Sequence, residues 1–297
     1  MLRLALSDKP DPEPGRIHTR TSRMLNEILL CLGACYMRFE QFVTDNLALL
    51  EPAVKVAKKG SAATGAALRM LSDGEIKSLG RKLAEAEEEL VSATEQIHAL
   101  RQSWSESNID EYFATEEYMG ELMTCLEEAG VDAHRVADVL YVYPALVRFD
   151  PGSQTSRIDK KLEPRIRPRT LAGILKNIQN RPSRFPASRF LTSLFKVYKA
   201  LGSRNLSRGE QWAGRSMFLK DIYEMMSAAP GSDYTEQEFV RDVYLLDASG
   251  DELEVRGHLA VLEASSGTRD ERKTLSIITR DGQKRLYSTI RFDSVAG

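Results

Sequence analysis

The sequence predicts an α+β protein, mainly helical, with an N-terminal antiparallel helical hairpin, a central winged-helix-like region and a small C-terminal antiparallel β meander. Three observations carry this prediction. Apolar residues from Ile76 to Trp104 alternate in steps of three and four across four heptads, the period of helices packed along a seam. Shorter amphipathic runs punctuated by Gly and Pro fill the middle of the chain, as separate helices and turns do. Near the end come three runs rich in β-branched and aromatic residues, 252–264, 273–279 and 285–292, with an Asp281-Gly282 step before the last. That step is a tight-turn signal between strands.

Residues 1–16 are rich in Pro and Asp and read as a flexible arm. Residues 17–107 read as the helical hairpin. Its first helix is expected from about Arg20 to Leu50, with Leu25, Ile28, Leu32, Cys35, Phe39, Phe42 and Leu49 on one face and Pro52 as a boundary. The small-residue stretch 53–70 fits either a short helix or a hinge. The second helix holds Ile76, Leu79, Leu83, Ala86, Leu90, Ala93, Ile97, Leu100 and Trp104 on its seam. Ala86 and Ala93 leave room for bulk from the first helix, which Tyr36, Phe39 and Phe42 would supply. Intramolecular pairing is favoured over a parallel dimer, and a homo-oligomer or complex subunit stays open. Glu85, Glu88 and Glu89 fall on the outer face, as a solvated surface does.

Residues 108–208 read as a basic helical domain with a β hairpin. Segment 116–130 is expected to be a helix closed by Gly130 in a left-handed cap. Segment 132–143 is expected to be another, stopped before Pro144. Residues 145–150 and 157–162 then form a hairpin about the turn 151–156. Two helices and a hairpin give the winged-helix outline. It recurs weakly in 209–297, the α+β C-terminal domain, where 218–229 and 235–247 are helical; segments 136–144 and 239–247 would correspond.

The net charge of -2 hides strong segregation. Residues 73–128 carry 15 acidic and 4 basic side chains, and residues 157–208 carry 14 basic and 2 acidic. Nine of those 14 are Arg, the residue suited to bidentate phosphate contact. Within the basic block, a helix from Leu171 to Asn180 is expected to bury Leu171, Ile174, Leu175 and Ile178. After a turn and Pro186, a second helix buries Phe190, Leu191, Leu194, Tyr198 and Leu201. Helix, turn and basic helix have the shape of a helix-turn-helix. The candidate nucleic-acid contacts are Arg165, Arg167, Arg169, Lys176, Arg181, Arg184, Arg189, Lys196 and Lys199. Asn177, Gln179 and Asn180 have the chemistry to reach base edges.

The first functional reading is therefore a non-enzymatic protein that binds DNA or RNA by its phosphate backbone. The second is a structural or adaptor subunit that meets other proteins, acidic ones included, through the coiled coil and charged faces. Internal docking of the acidic block on the basic one competes with both. A third reading is a weak metal-dependent nuclease, with Asp150, Asp159, Lys160 and Lys161 as the acid-and-lysine set such chemistry needs.

Several classes are disfavoured. The longest apolar run, Ile28 to Met37, has ten residues against about 20 for a membrane span, and the apolar N-terminal stretch is short for a signal peptide. A cytoplasmic location is expected. Cys31, Cys35 and Cys125, with His18, His98, His134 and His258, make no metal-binding spacing, so no metal and no cofactor are expected. There is no GxxxxGK[ST] or GxGxxG phosphate loop.

Overall fold

The computed structural model describes residues 38–182, 185–204, 211–228, 233–250, 253–263 and 274–295. The expected flexible arm, most of the first predicted helix and Arg184 lie outside them. Within them the protein is α+β and dominated by helix.

Helix α1, Phe39–Ser72, runs straight through Pro52. The expected boundary and hinge are therefore one continuous helix. Pro52 and Ala48 are both exposed, so the carbonyl that loses its helical partner can turn to water. Asp73, Gly74 and Glu75 reverse the chain, with Gly74 at φ 75°, and helix α2, Ile76–Glu106, returns along α1. Their contact is made from small residues on both sides. Ala53, Gly60, Ala63 and Ala67 of α1 and Ala86 and Ala93 of α2 are buried. The bulk expected from Phe39 lies elsewhere: its ring packs 5.1 Å from Phe113 and 6.0 Å from Tyr112.

Among the described residues the hairpin meets the body at its base, where Phe39 joins the core around Phe113. There the short helix α3, Ile109–Ala114, and helix α4, Glu117–Ala129, follow. Gly130 closes α4 in the left-handed conformation, as expected. Glu121 of α4 accepts the Phe39 and Glu40 backbone N–H groups at 2.8 and 3.0 Å, and the Tyr112 hydroxyl also donates to it. Two of the four donors that a helix start leaves unpaired are thus satisfied by another helix. Burial, then Glu121 itself, holds the Tyr112 hydroxyl far above its usual pKa.

The centre is an antiparallel sheet of β1, His134–Val136, β2, Val139–Val142, β3, Ala145–Asp150, β4, Thr155–Ile158, and β5, Lys161–Glu163, in that order. Segment 132–143, expected to be a helix, is the β1–β2 hairpin. Val139, Leu140, Tyr141 and Val142 are all buried, so β2 has no polar face to offer solvent. A strand covered on both sides suits such a run. The winged-helix outline fails here, and so does the internal repeat, because 239–247 is helical while its supposed counterpart is sheet.

Two cores lie on the two faces of this sheet. Leu140, Val142 and Val147 pack with α3, α4 and helix α5, Pro168–Gln179. Val139, Tyr141 and Leu146 pack with helix α6, Ala187–Arg204, and with the C-terminal elements. These are β6, Met217–Phe218, helix α7, Leu219–Ser227, and helix α8, Glu236–Asp247. Then come β7, Glu254–Val255, β8, His258–Glu263, β9, Leu275–Ile278, β10, Lys284–Tyr287, and β11, Thr289–Ser294. This second core joins residues from both sides of position 208.

The three C-terminal runs do not make one meander. β9 and β10 pair with each other about the Asp281-Gly282 turn, while β11 pairs with β8 and β6. The change of sheet falls at Ser288, whose N–H donates to the Glu263 carbonyl and whose carbonyl accepts from Leu219.

The α1–α2 contact yields a paired test. A Cβ on Gly60 would come within 2.8 Å of Leu90 Cγ, whereas one on Gly65 meets nothing within 4 Å. Gly60→Ala should lower stability by about 1–3 kcal/mol through overpacking. Gly65→Ala should raise it by about 0.5–1 kcal/mol through helix propensity. Urea denaturation followed by circular dichroism reads both.

Candidate nucleic-acid interface

The two helices of the basic block fold locally as their apolar spacing requires. α5 buries Leu171, Ala172 and Leu175, with Ile174 and Ile178 partly covered, and leaves Lys176, Asn177 and Asn180 exposed. Pro168 sits in its first turn, where a missing N–H costs nothing. α6 buries Phe190, Leu191, Leu194, Phe195 and Tyr198. The Tyr198 hydroxyl donates to the carbonyls of Arg215, at 2.6 Å, and Trp212, at 3.2 Å. This pins the helix to the chain that follows and leaves Arg189, Lys196 and Lys199 outward.

The pair is not a helix-turn-helix. α5 packs on α4 against one face of the central sheet, and α6 packs on α7 and α8 against the other. The link between them, residues 180–186, carries the chain from one core to the next. Their apolar faces bury into different cores, so neither helix supports the other in a groove-reading pose.

Eight of the nine candidates lie among the described residues and fall into distinct settings. Arg165 forks onto Glu163, both contacts at 2.7 Å; these hydrogen bonds hold the Glu163 carboxyl below its usual range. Arg167 donates to Glu40 at 2.8 Å, and Glu40 also accepts the Arg169 backbone N–H at 2.7 Å. Arg167 thereby fastens α1 to the start of α5. The ammonium of Lys199 stands 5.5 Å from the Trp212 ring centroid, a cation–π contact. The side chains of Arg169, Lys176, Arg181, Arg189 and Lys196 are exposed and are joined to no carboxylate within 4 Å among the described residues. Arg169 and Lys176 are seven positions apart on α5, and Arg189, Lys196 and Lys199 span about 15 Å of α6 at 1.5 Å per residue.

Among the described residues no ion pair joins 73–128 to 157–208; the acids of the first block that form bridges meet Lys59, Lys82 and Arg135.

A cluster that composition did not point to lies beside α6. Arg241, almost buried, contacts Asp242 at 2.7 Å and also Asp159. The Tyr234 hydroxyl donates to Asp242 at 2.7 Å, and Asp159 accepts the Leu146 N–H at 3.0 Å. Together with Arg189 and Ser193 these residues line a cleft of about 470 Å³. Asp159, from the acid-and-lysine set, thus ties α8 to the sheet. Lys160 bonds Asp233, and Asp150 caps its own turn through Ser153 and Gly152. Among the described residues no three His, Cys, Asp or Glu side chains converge as a metal site would require. The sequence carried one sign of this cluster: adjacent Arg241 and Asp242 inside an otherwise apolar-backed helix.

Among the described residues no helix is long and apolar enough to cross a membrane. No family model matches the chain, and no curated protein or solved structure does so either.

Arg241→Met should cost about 3–5 kcal/mol, because it strands the nearly buried Asp242 carboxylate without its cation. Lys160→Met, at an exposed pair, should cost under about 1 kcal/mol. Chemical denaturation of the two variants side by side separates the buried network from the surface bridge.

Proposed function

We propose that this protein binds the phosphate backbone of a nucleic acid through the outward cations of α5, the link and α6. The observation that carries the reading is a set of unneutralised cations on α5, the link and α6. Among the described residues five of the candidate cations are exposed without a carboxylate partner, and no ion pair joins them to the acidic block. Arg165 and Arg167 are already committed to Glu163 and Glu40, so the contacts assigned are Arg169, Lys176, Arg181, Arg189 and Lys196, with Lys199 as a stacked neighbour. Binding of this kind is charge-led. It positions the nucleic acid without reading bases, since the two helices do not present a joint recognition element. No catalytic role is assigned, and the proposed location is the cytoplasm.

A second reading, an adaptor that holds other proteins, is favoured by one feature: large apolar side chains exposed along the hairpin, among them Leu68, Leu83 and Ile97.

If about five phosphates are neutralised on duplex DNA, log K should fall with log salt at a slope near -4.5, roughly 500-fold between 50 and 200 mM salt. Arg189→Glu with Lys196→Glu should flatten that slope and weaken binding to every sequence alike. Fluorescence anisotropy with duplex and single-stranded oligonucleotides across a salt series measures both. A salt-independent signal, or binding unchanged by the double reversal, overturns the proposal.

A further inference from the structure

The hairpin has more apolar surface than its own two helices cover. On α2 the heptad pattern divides into two rows. Leu79, Ala86, Ala93 and Leu100 turn inward, with Ala86 and Ala93 buried. Ile76, Leu83, Leu90, Ile97 and Trp104, spaced by sevens, remain 42% to 63% exposed. On α1 the inward rows hold Ala53, Gly60, Ala63 and Ala67, while Leu47, Leu50, Val54, Leu68 and Leu71 stay 38% to 68% exposed.

The two exposed rows lie on the same side of the hairpin. On each helix the exposed row is displaced from the buried row in the same rotational sense, by about half to one residue's turn of 100°. The helices run antiparallel, so equal senses place both rows on one face. That face is about 46 Å long and two helix diameters wide, roughly 900 Å². A stable interface needs about 800 Å² per partner. A row of large apolar residues repeating every seven positions is the pattern that a further helix packs against.

Charge selects the occupant. From Pro52 to Ser72, α1 carries Lys55, Lys58, Lys59 and Arg69 and no acid. From Leu83 to Leu100, α2 carries Glu85, Glu87, Glu88, Glu89 and Glu95 and no Lys or Arg. Lys59 and Glu89 bridge each other within the hairpin, but exposed Lys58 and Glu87 flank the apolar rows and make the α1 edge of the face basic and the α2 edge acidic, an arrangement whose complement is itself turned by 180°.

We propose that a second copy of this chain docks on this face, giving a four-helix bundle with its two-fold axis along the hairpin. Both tips then point the same way, and α1 of each copy lies against α2 of the other. Every neighbouring pair of helices is antiparallel, and basic meets acidic. The tip-to-base alternative sets α1 on α1 and α2 on α2, like charge on like, which disfavours it. Lys58 and Glu87, at matching heights beside the apolar rows, are the pair expected to meet across the axis.

The test is the mass of the full-length protein in solution, by light scattering and sedimentation over a concentration series. Wild type should weigh twice its 33.3 kDa chain. Leu83→Asp with Ile97→Asp should weigh one chain with unchanged helical circular dichroism, since neither residue is in the buried row. Lys58→Glu alone should weaken the dimer about fivefold or more, and adding Glu87→Lys should restore it. A monomeric wild type at 100 μM, as expected if residues 1–37 cover the face instead, overturns the proposal. So does a dimer that survives the Asp pair, or a Lys58→Glu loss that Glu87→Lys does not rescue. These masses are read without nucleic acid, so the outcome is independent of the phosphate-binding reading.

Discussion

Strand β2 is the constraint on which the rest of the structure depends. Val139 and Tyr141 face one core, Leu140 and Val142 the other, so neither side of the central sheet can be left to water. Removing such side chains from water contributes about 1.5–3 kcal/mol each, and four in succession commit the chain to layers above and below. The basic block supplies part of both, with α5 on one face and α6 on the other. Its cations consequently point away from two different cores.

The hairpin obeys a different logic. It is built for close approach, with small residues where its helices touch and Gly60 against Leu90. Its connection to the body is concentrated at one end. Glu121 satisfies the start of α1, and Glu40 in turn satisfies the start of α5 and receives Arg167. Helix ends that would otherwise need their own caps are joined by carboxylates from neighbouring helices. A rigid base and a long projecting arm follow from this arrangement, and so does the separation between a charged body surface and an apolar arm surface.

Ion pairing decides which charges are available. Arg165, Arg167 and Arg241 look alike in the sequence as members of a cationic population, yet each is held by carboxylates for a structural purpose. Lys176, Arg181 and Lys196 have no such duty among the described residues. Among the described residues the dense acidic helix α2 forms no ion pair with the basic block.

Much of this was legible in the sequence. Periodicity located α2, α4, α5, α6, α7 and α8, the Gly130 cap and the outward face of α6, because each depends on residues within a few turns of one another. The failures were of one kind. Residues 139–142 lack a polar face for the same reason that a buried helix would, and only the cores on both sides distinguish strand from helix. Continuation through Pro52, the parting of β10 from β11 at Ser288 and the division of α5 from α6 likewise depend on distant partners. Spacing along the chain determined which residues are apolar-backed and which cations point outward. Tertiary packing decided which distant carboxylates meet these cations, because Glu40 and Asp159 are brought to Arg167 and Arg241 by the fold and by nothing in the local sequence.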